Sequence, residues 1–129
     1  MLKVFVAASM LVLCAGLVHA QDPVATNPEH YKVILENEQT RVLDYKDHPG
    51  EKTTLHRHPD SVLYALSNFT RRLTFEDGHS VEKKFKTGDV MFLPTQSHIG
   101  ENIGLTDTHV ILVELKEPLP MDASVDPDK

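Results

Sequence analysis

The chain has 129 residues, with 13 basic and 19 acidic side chains and a formal net charge of −6. That length suits one domain, and the acidic balance excludes a nucleic-acid partner gripped through a phosphate-neutralising surface. The only cysteine, Cys14, leaves no internal disulfide framework, so stability must come from a packed core or a metal.

Residues 1–20, "MLKVFVAASMLVLCAGLVHA", combine one basic residue, a short apolar run and a small-residue exit at Ala20. That pattern reads as a secretory signal peptide, placing the mature protein in a periplasm or outside the cell with no membrane association after cleavage. Cleavage would leave 129 less 20, that is 109 residues, and loss of Lys3 would take the net charge from −6 to −7. Residues 21–30, "QDPVATNPEH", are polar and proline-punctuated and read as an N-terminal arm. Alternating apolar runs then predict strands at 31–36, 41–46, 53–58, 62–67, 72–75, 80–85, 89–93 and 109–115, with a short one at 98–102. Pro49-Gly50, Asp77-Gly78 and Thr87-Gly88 punctuate them as turns, and Asp77-Gly78 is a strong hairpin signal. The basic run at 83–86, short and flanked by acids, reads as a solvated strand face. The stretch "HVILVEL" is nearly all apolar and predicts a central strand. Residues 117–129 form an acidic, proline-rich tail. Many short strands without a helical stripe make this an all-β barrel or sandwich spanning 31–116.

Within it, strand alternation places Thr54, His56 and His58 on one face, opposite Leu55. Two imidazoles so placed lie roughly 6–7 Å apart along the chain and can converge on one ion. Neutral imidazole is a common ligand for Fe, Zn, Ni and Cu. A third donor is available in "GDVMFLPTQSHIGEN", where a glycine turn feeds an apolar strand, Pro94 ends it and His98 follows.

Gly50, five residues, His56-x-His58, then Gly88, five residues, Pro94, His98, three residues and Asn102 resemble the two signature motifs of the cupin superfamily. The resemblance runs from about Tyr31 to Lys116 and extends to small single-domain cupins, some labelled as β-alanine degradation proteins. It implies a double-stranded β-helix, a small jelly-roll barrel, with His56, His58 and His98 as metal ligands. Gly50, Gly88 and Asn102 would be structural. Fe(II) is the first choice of ion, with Zn, Ni and Mn as alternatives.

The departures carry chemistry too. Where the family places a glutamate ligand, this chain has Val62 and Leu63. Where motif one closes on glycine, the chain has Phe69, and Asn68 is the candidate for a positive-φ turn. The open fourth place could be taken by Gln96, Glu101 or Tyr64. Tyr64, read as facing the barrel interior, is the candidate acid/base or hydrogen-bond donor. His109 is expected in a core or supporting position, Arg57 and Arg72 on the outside, and His30, His48 and His79 in solvated loops.

Two readings of function follow. One is a metal-dependent small-molecule enzyme, dioxygenase-like or isomerase/lyase-like, acting on a small and in one version anionic substrate. The other is a non-catalytic module binding a small ligand in a pocket of Val62, Leu63, Leu66 and Met91. Either is compatible with a homodimer formed through the edge strand "YKVILE".

Overall fold

The computed structural model describes residues 21–117, so the expectations for residues 1–20 and for 118–129 lie outside the described residues. Nine strands follow a four-residue helix: α1 (Pro23–Thr26), β1 (Tyr31–Glu36), β2 (Thr40–Asp47), β3 (His56–His58), β4 (Ser61–Ala65), β5 (Phe69–Phe75), β6 (Ser80–Phe85), β7 (Val90–Leu93), β8 (Gln96–Asn102) and β9 (Thr108–Leu115). All strand pairs are antiparallel, in one five-stranded sheet ordered β1-β2-β9-β4-β7 and one four-stranded sheet ordered β3-β8-β5-β6. The apolar β9 is the central strand of the larger sheet, as its composition predicts.

Turn chemistry fixes the corners. Gly50, Gly78 and Gly88 have φ of 85°, 87° and 92°, the left-handed region that a side chain disfavours. Gly78 closes the β5–β6 hairpin, with its N–H donating to the Phe75 carbonyl. Asn68 does not adopt a positive φ, contrary to the sequence expectation. It acts through its side chain instead, accepting from the Thr87 N–H at 2.8 Å and pinning the β6–β7 corner. Between β3 and β4, the Asp60 carboxylate accepts from the Thr95 N–H at 2.7 Å, so the Pro-Asp turn is tied to the start of β8.

The sheets meet through alternate residues. Leu43 and Tyr45 of β2, Leu63 and Ala65 of β4, and Val110 and Leu112 of β9 bury against Phe69 and Phe85 of the smaller sheet. The two phenyl rings stack with centroids 4.6 Å apart. Beside this core sits a buried polar group. The Arg71 guanidinium donates to Asp47 at 2.6 Å and to the Tyr45 hydroxyl at 2.9 Å, and the Asn102 amide donates to Asp47 at 3.1 Å. Burial raises the Asp47 carboxyl, but Arg71 outweighs it and holds the group below the usual carboxylate range.

Arg71 lies directly over Gly100 on the next strand: a Cβ at position 100 would stand 2.8 Å from its Cζ. Long side chains elsewhere could swing away, but this one is held by Asp47. Gly100→Ala is therefore expected to cost about 1–3 kcal/mol through overpacking. Urea denaturation at equal slope would read it, and a loss below about 0.5 kcal/mol, the range of ordinary surface changes, would show that Arg71 is free to move.

The N-terminal arm is more structured than its composition suggests. Asp22 caps α1, accepting from the Val24 and Ala25 N–H groups, and Pro23 occupies the first turn without losing a bond. Asn27 is buried, and its side-chain oxygen accepts from the Thr54 N–H at 2.9 Å. A second correction concerns His30, whose side chain is only 9% exposed and contacts the Lys46 carbonyl, whereas His48 and His79 are exposed as expected.

Candidate metal centre

His56 and His58 occupy alternate positions of β3, and both are buried. In the antiparallel register, His98 of β8 lies directly opposite His56, and Gln96 opposite His58. The alternation read from the sequence and this register bring the three imidazoles to one spot on the inner face of the smaller sheet. One ligand atom from each of the three lies within 4.8 Å of the others. Thr54, expected on the same face, is exposed; its hydroxyl donates to Asn27, and only its backbone carbonyl reaches the histidines.

Hydrogen bonds set the tautomers. His56 Nδ1 faces the Thr54 carbonyl at 2.8 Å, and His58 Nδ1 faces the Glu114 carboxylate at 2.7 Å. Both partners only accept, so each Nδ1 carries the proton and each Nε2 of a neutral ring keeps its lone pair. Both Nε2 atoms look at the Tyr31 hydroxyl, at 3.1 and 3.4 Å. Burial pushes the pKa of that hydroxyl up, so it stays protonated and donates. One proton cannot serve two lone pairs. His98 Nδ1 has no hydrogen-bond partner among the described residues, although it is buried.

These shortfalls are what a cation would make good. Burial, followed by the neighbouring His58 ring, pushes His56 down to about 4. Burial, then His58 and His56, pushes His98 down to about 2. Both rings are neutral near pH 7, the form that ligates. The donor set fits a divalent metal.

Behind the rings lies a support that sequence reasoning missed. Glu114 accepts from His58 on one oxygen and from Arg41 Nε at 2.7 Å on the other, and Arg41 also pairs with Asp22 at 2.8 Å. Burial raises the Glu114 carboxyl, but the bonds from His58 and Arg41 outweigh it and keep it ionised. A carboxylate behind a ligating histidine fixes ring orientation and raises ligand basicity. Glu114→Gln is accordingly expected to weaken divalent-metal affinity 10–100-fold. Competition against a chromophoric chelator would measure it, and unchanged affinity would remove Glu114 from the site. One signal was available: Glu114 is the only charge within an otherwise apolar central strand.

The other candidates separate cleanly. Tyr64 shares its side of β4 with Val62, as expected, but that side is the outer one; Tyr64 is 44% exposed, and Ser61, Leu63 and Ala65 point inward. The expectation of an inward Tyr64 is corrected, and the phenol at the histidines is that of Tyr31. Gln96 does reach the cavity beside His98. Glu101 lies outside, 3.4 Å from Arg72, and His109 is bonded to Asp44 at 2.7 Å on the outer face, not in the core. Arg57 is exposed and Arg72 pairs with Glu82.

His58 and His98 line a cavity of about 390 Å³ between the sheets, with His56 buried behind them. Leu63 and Met91 line it as expected, whereas Val62 and Leu66 do not.

Among known proteins, no family model and no curated protein matches the chain. Solved structures do. A cupin domain from Bordetella pertussis Tohama I is 26% identical, with a TM-score of 0.62 over 67% of this chain and 92% of that one. The fold is the cupin double-stranded β-helix. An RmlC-like cupin family protein from Methanocaldococcus jannaschii matches at 17% identity and TM-score 0.54, covering 66% of this chain and 77% of that one. An uncharacterized double-stranded β-helix protein from Klebsiella pneumoniae matches at 24% and 0.54, covering 66% and 70%. The β-alanine label finds no counterpart in these cupin neighbours.

Proposed function

We propose that this cupin is a metal-dependent small-molecule enzyme in which His56, His58 and His98 hold one divalent ion, Fe(II) before Zn, Ni or Mn. The observation that carries the reading is the convergence of three buried imidazoles, two of which line a cavity. Such an ion would supply Lewis-acid polarisation of a ligand oxygen, or a redox centre for O₂ chemistry. The chain's own contribution is positional. Thr54 and Glu114 hold two rings in one tautomer, and Tyr31 places a buried hydroxyl donor beside them, where it can hydrogen-bond a ligand oxygen. With Val62 and Leu63 in place of a carboxylate ligand, the set is uncharged and leaves the ion its full positive charge, which favours an anionic or chelating ligand.

The test is turnover of small carboxylates and diketones under air by metal-loaded protein, followed as O₂ uptake and product, with His98→Ala alongside. Turnover that the variant lacks supports the enzyme. Binding without turnover in either protein supports instead a non-catalytic ligand-binding module. Export is part of the proposal, and the exported chain should begin at Gln21 on N-terminal sequencing.

We also propose a homodimer through β1. Among the described residues this strand is an edge of the larger sheet, with Ile34 half-exposed at its centre. Lys32 and Glu36 flank Ile34 symmetrically, so an antiparallel second copy sets opposite charges against each other. Native mass should report a dimer, and Ile34→Lys a monomer; a wild-type monomer at micromolar concentration overturns it.

A further inference from the structure

The cavity continues well beyond the histidines, and its chemistry changes abruptly. Leu63 and Leu112 of the larger sheet, Leu73 and Phe75 of the smaller, and Met91 of β7 form its walls. Phe75 stands edge-on to His98 at 6.4 Å, so the apolar wall begins where the imidazoles end. Of the two cationic side chains in its lining, Arg71 and Lys83, Arg71 is already bound to Asp47 and Tyr45. At the β6 edge, Lys83 lays its ammonium 5.2 Å from the Phe85 ring centroid and 3.6 Å from Met91 Sδ, so its stem extends the same apolar wall. Apart from the imidazoles, Gln96, Tyr31, Tyr45 and Thr108 are the uncharged polar side chains of the lining; the Tyr31 hydroxyl meets the imidazoles and that of Tyr45 accepts from Arg71.

We infer that the ligand of this cavity is an amphipathic acid or ketone: an oxygen head at the histidines and an extended hydrocarbon body, aliphatic or aromatic, along Leu63, Leu73, Phe75 and Met91. A polyhydroxylated or zwitterionic ligand is disfavoured, because away from the imidazoles its hydroxyls or ammonium would be buried against Leu63, Leu73, Phe75 and Met91, which offer no partner. The inference rests on the metal reading for the head alone; the body is set by the walls. Substrate choice in this protein is then a matter of chain length and apolar bulk.

The experiment is calorimetric titration of metal-supplied protein with butyrate, hexanoate and octanoate, and with β-alanine and galacturonate as polar comparators. Affinity should rise about fourfold per added methylene, the equivalent of about 0.8 kcal/mol per buried CH₂, and both comparators should bind more weakly than hexanoate. Met91→Gln, at a half-buried wall position, should weaken octanoate about tenfold and leave butyrate nearly unchanged. Equal affinity across the three acids, or a comparator matching octanoate, overturns the inference. Metal content is measured on the same samples. A chain-length slope without bound metal sinks the metal reading and keeps this one, whereas bound metal without a slope does the reverse.

Discussion

Protein supplied with a divalent metal and desalted should keep about one equivalent per chain, and His98→Ala should keep none. The expectation follows from where the lone pairs point. His56 and His58 present Nε2 atoms that share one hydroxyl donor, and His98 completes the set from the facing strand. Structural zinc sites bind with about 10–16 kcal/mol. Spread over four ligands that is about 3 kcal/mol each, so losing one imidazole costs roughly a hundredfold in affinity. Metal at a thousand times the wild-type Kd should stabilise the wild type by about 4 kcal/mol, with a matching rise in melting temperature, whereas His98→Ala, for which the same concentration is about ten times Kd, should gain only about 1.4 kcal/mol. The variant itself should fold, because the ring it removes carries a buried nitrogen with no partner among the described residues. Equal metal uptake by both proteins would place the ion elsewhere.

The metal-free protein should lose about 4 kcal/mol of stability between pH 7 and pH 5. His56 and His98 titrate near 4 and 2 in the folded chain, each below the ordinary histidine value of 6.5. The sign follows directly. Between pH 6.5 and 4 the unfolded chain takes up protons at these residues and the folded chain does not, so acid favours unfolding. At pH 5 each ring has lost about 1.5 pH units at 1.36 kcal/mol per unit, roughly 2 kcal/mol for each of two well-buried groups. Glu114 and Asp47, both lowered in the folded state, add their losses only as pH falls below about 4.5, outside this window. Urea midpoints at pH 7.0, 6.0 and 5.0 would trace the limb. A midpoint flat down to pH 5 would mean that the imidazoles take protons inside the barrel. Bound metal should move the limb to lower pH, because an ion on the rings excludes the proton.

The sequence carried these histidines legibly because a strand repeats every two residues and a bonded neighbour preserves the face. Alternation placed His56 and His58 together; His98 joined them only through its match to the second cupin motif, because nothing local shows that β8 lies beside β3. The same rule failed for Tyr64, and the reason is physical. Both faces of β4 are apolar, Val62 and Tyr64 on one and Leu63 and Ala65 on the other, so alternation shows which residues go together but not which set turns inward. Tyr31 was invisible for a different reason. Its place beside the imidazoles depends on β1 pairing with β2, Tyr31 opposite Tyr45 at the edge of the larger sheet, a contact across sheets that no local pattern encodes. The arm was read as separate because its prolines and polar residues look like a linker. Its helix is a single turn held by the Asp22 cap, too short to leave a periodic stripe.

That arm has a consequence for timing. Asn27 fastens the Thr54 backbone whose carbonyl orients His56, and Asp22 reaches His58 through Arg41 and Glu114. Both rings of the His-x-His pair are thus steered from a stretch ahead of the first strand. A chain whose leading end is still gripped by other machinery can close its barrel yet lacks these two guy-ropes, so the Thr54 carbonyl and Glu114 that orient its imidazoles are held less firmly. Loading with an ion would then be a late event, following release of the leading end, and trimming to residue 30 should give a correctly shaped shell that holds its cargo poorly.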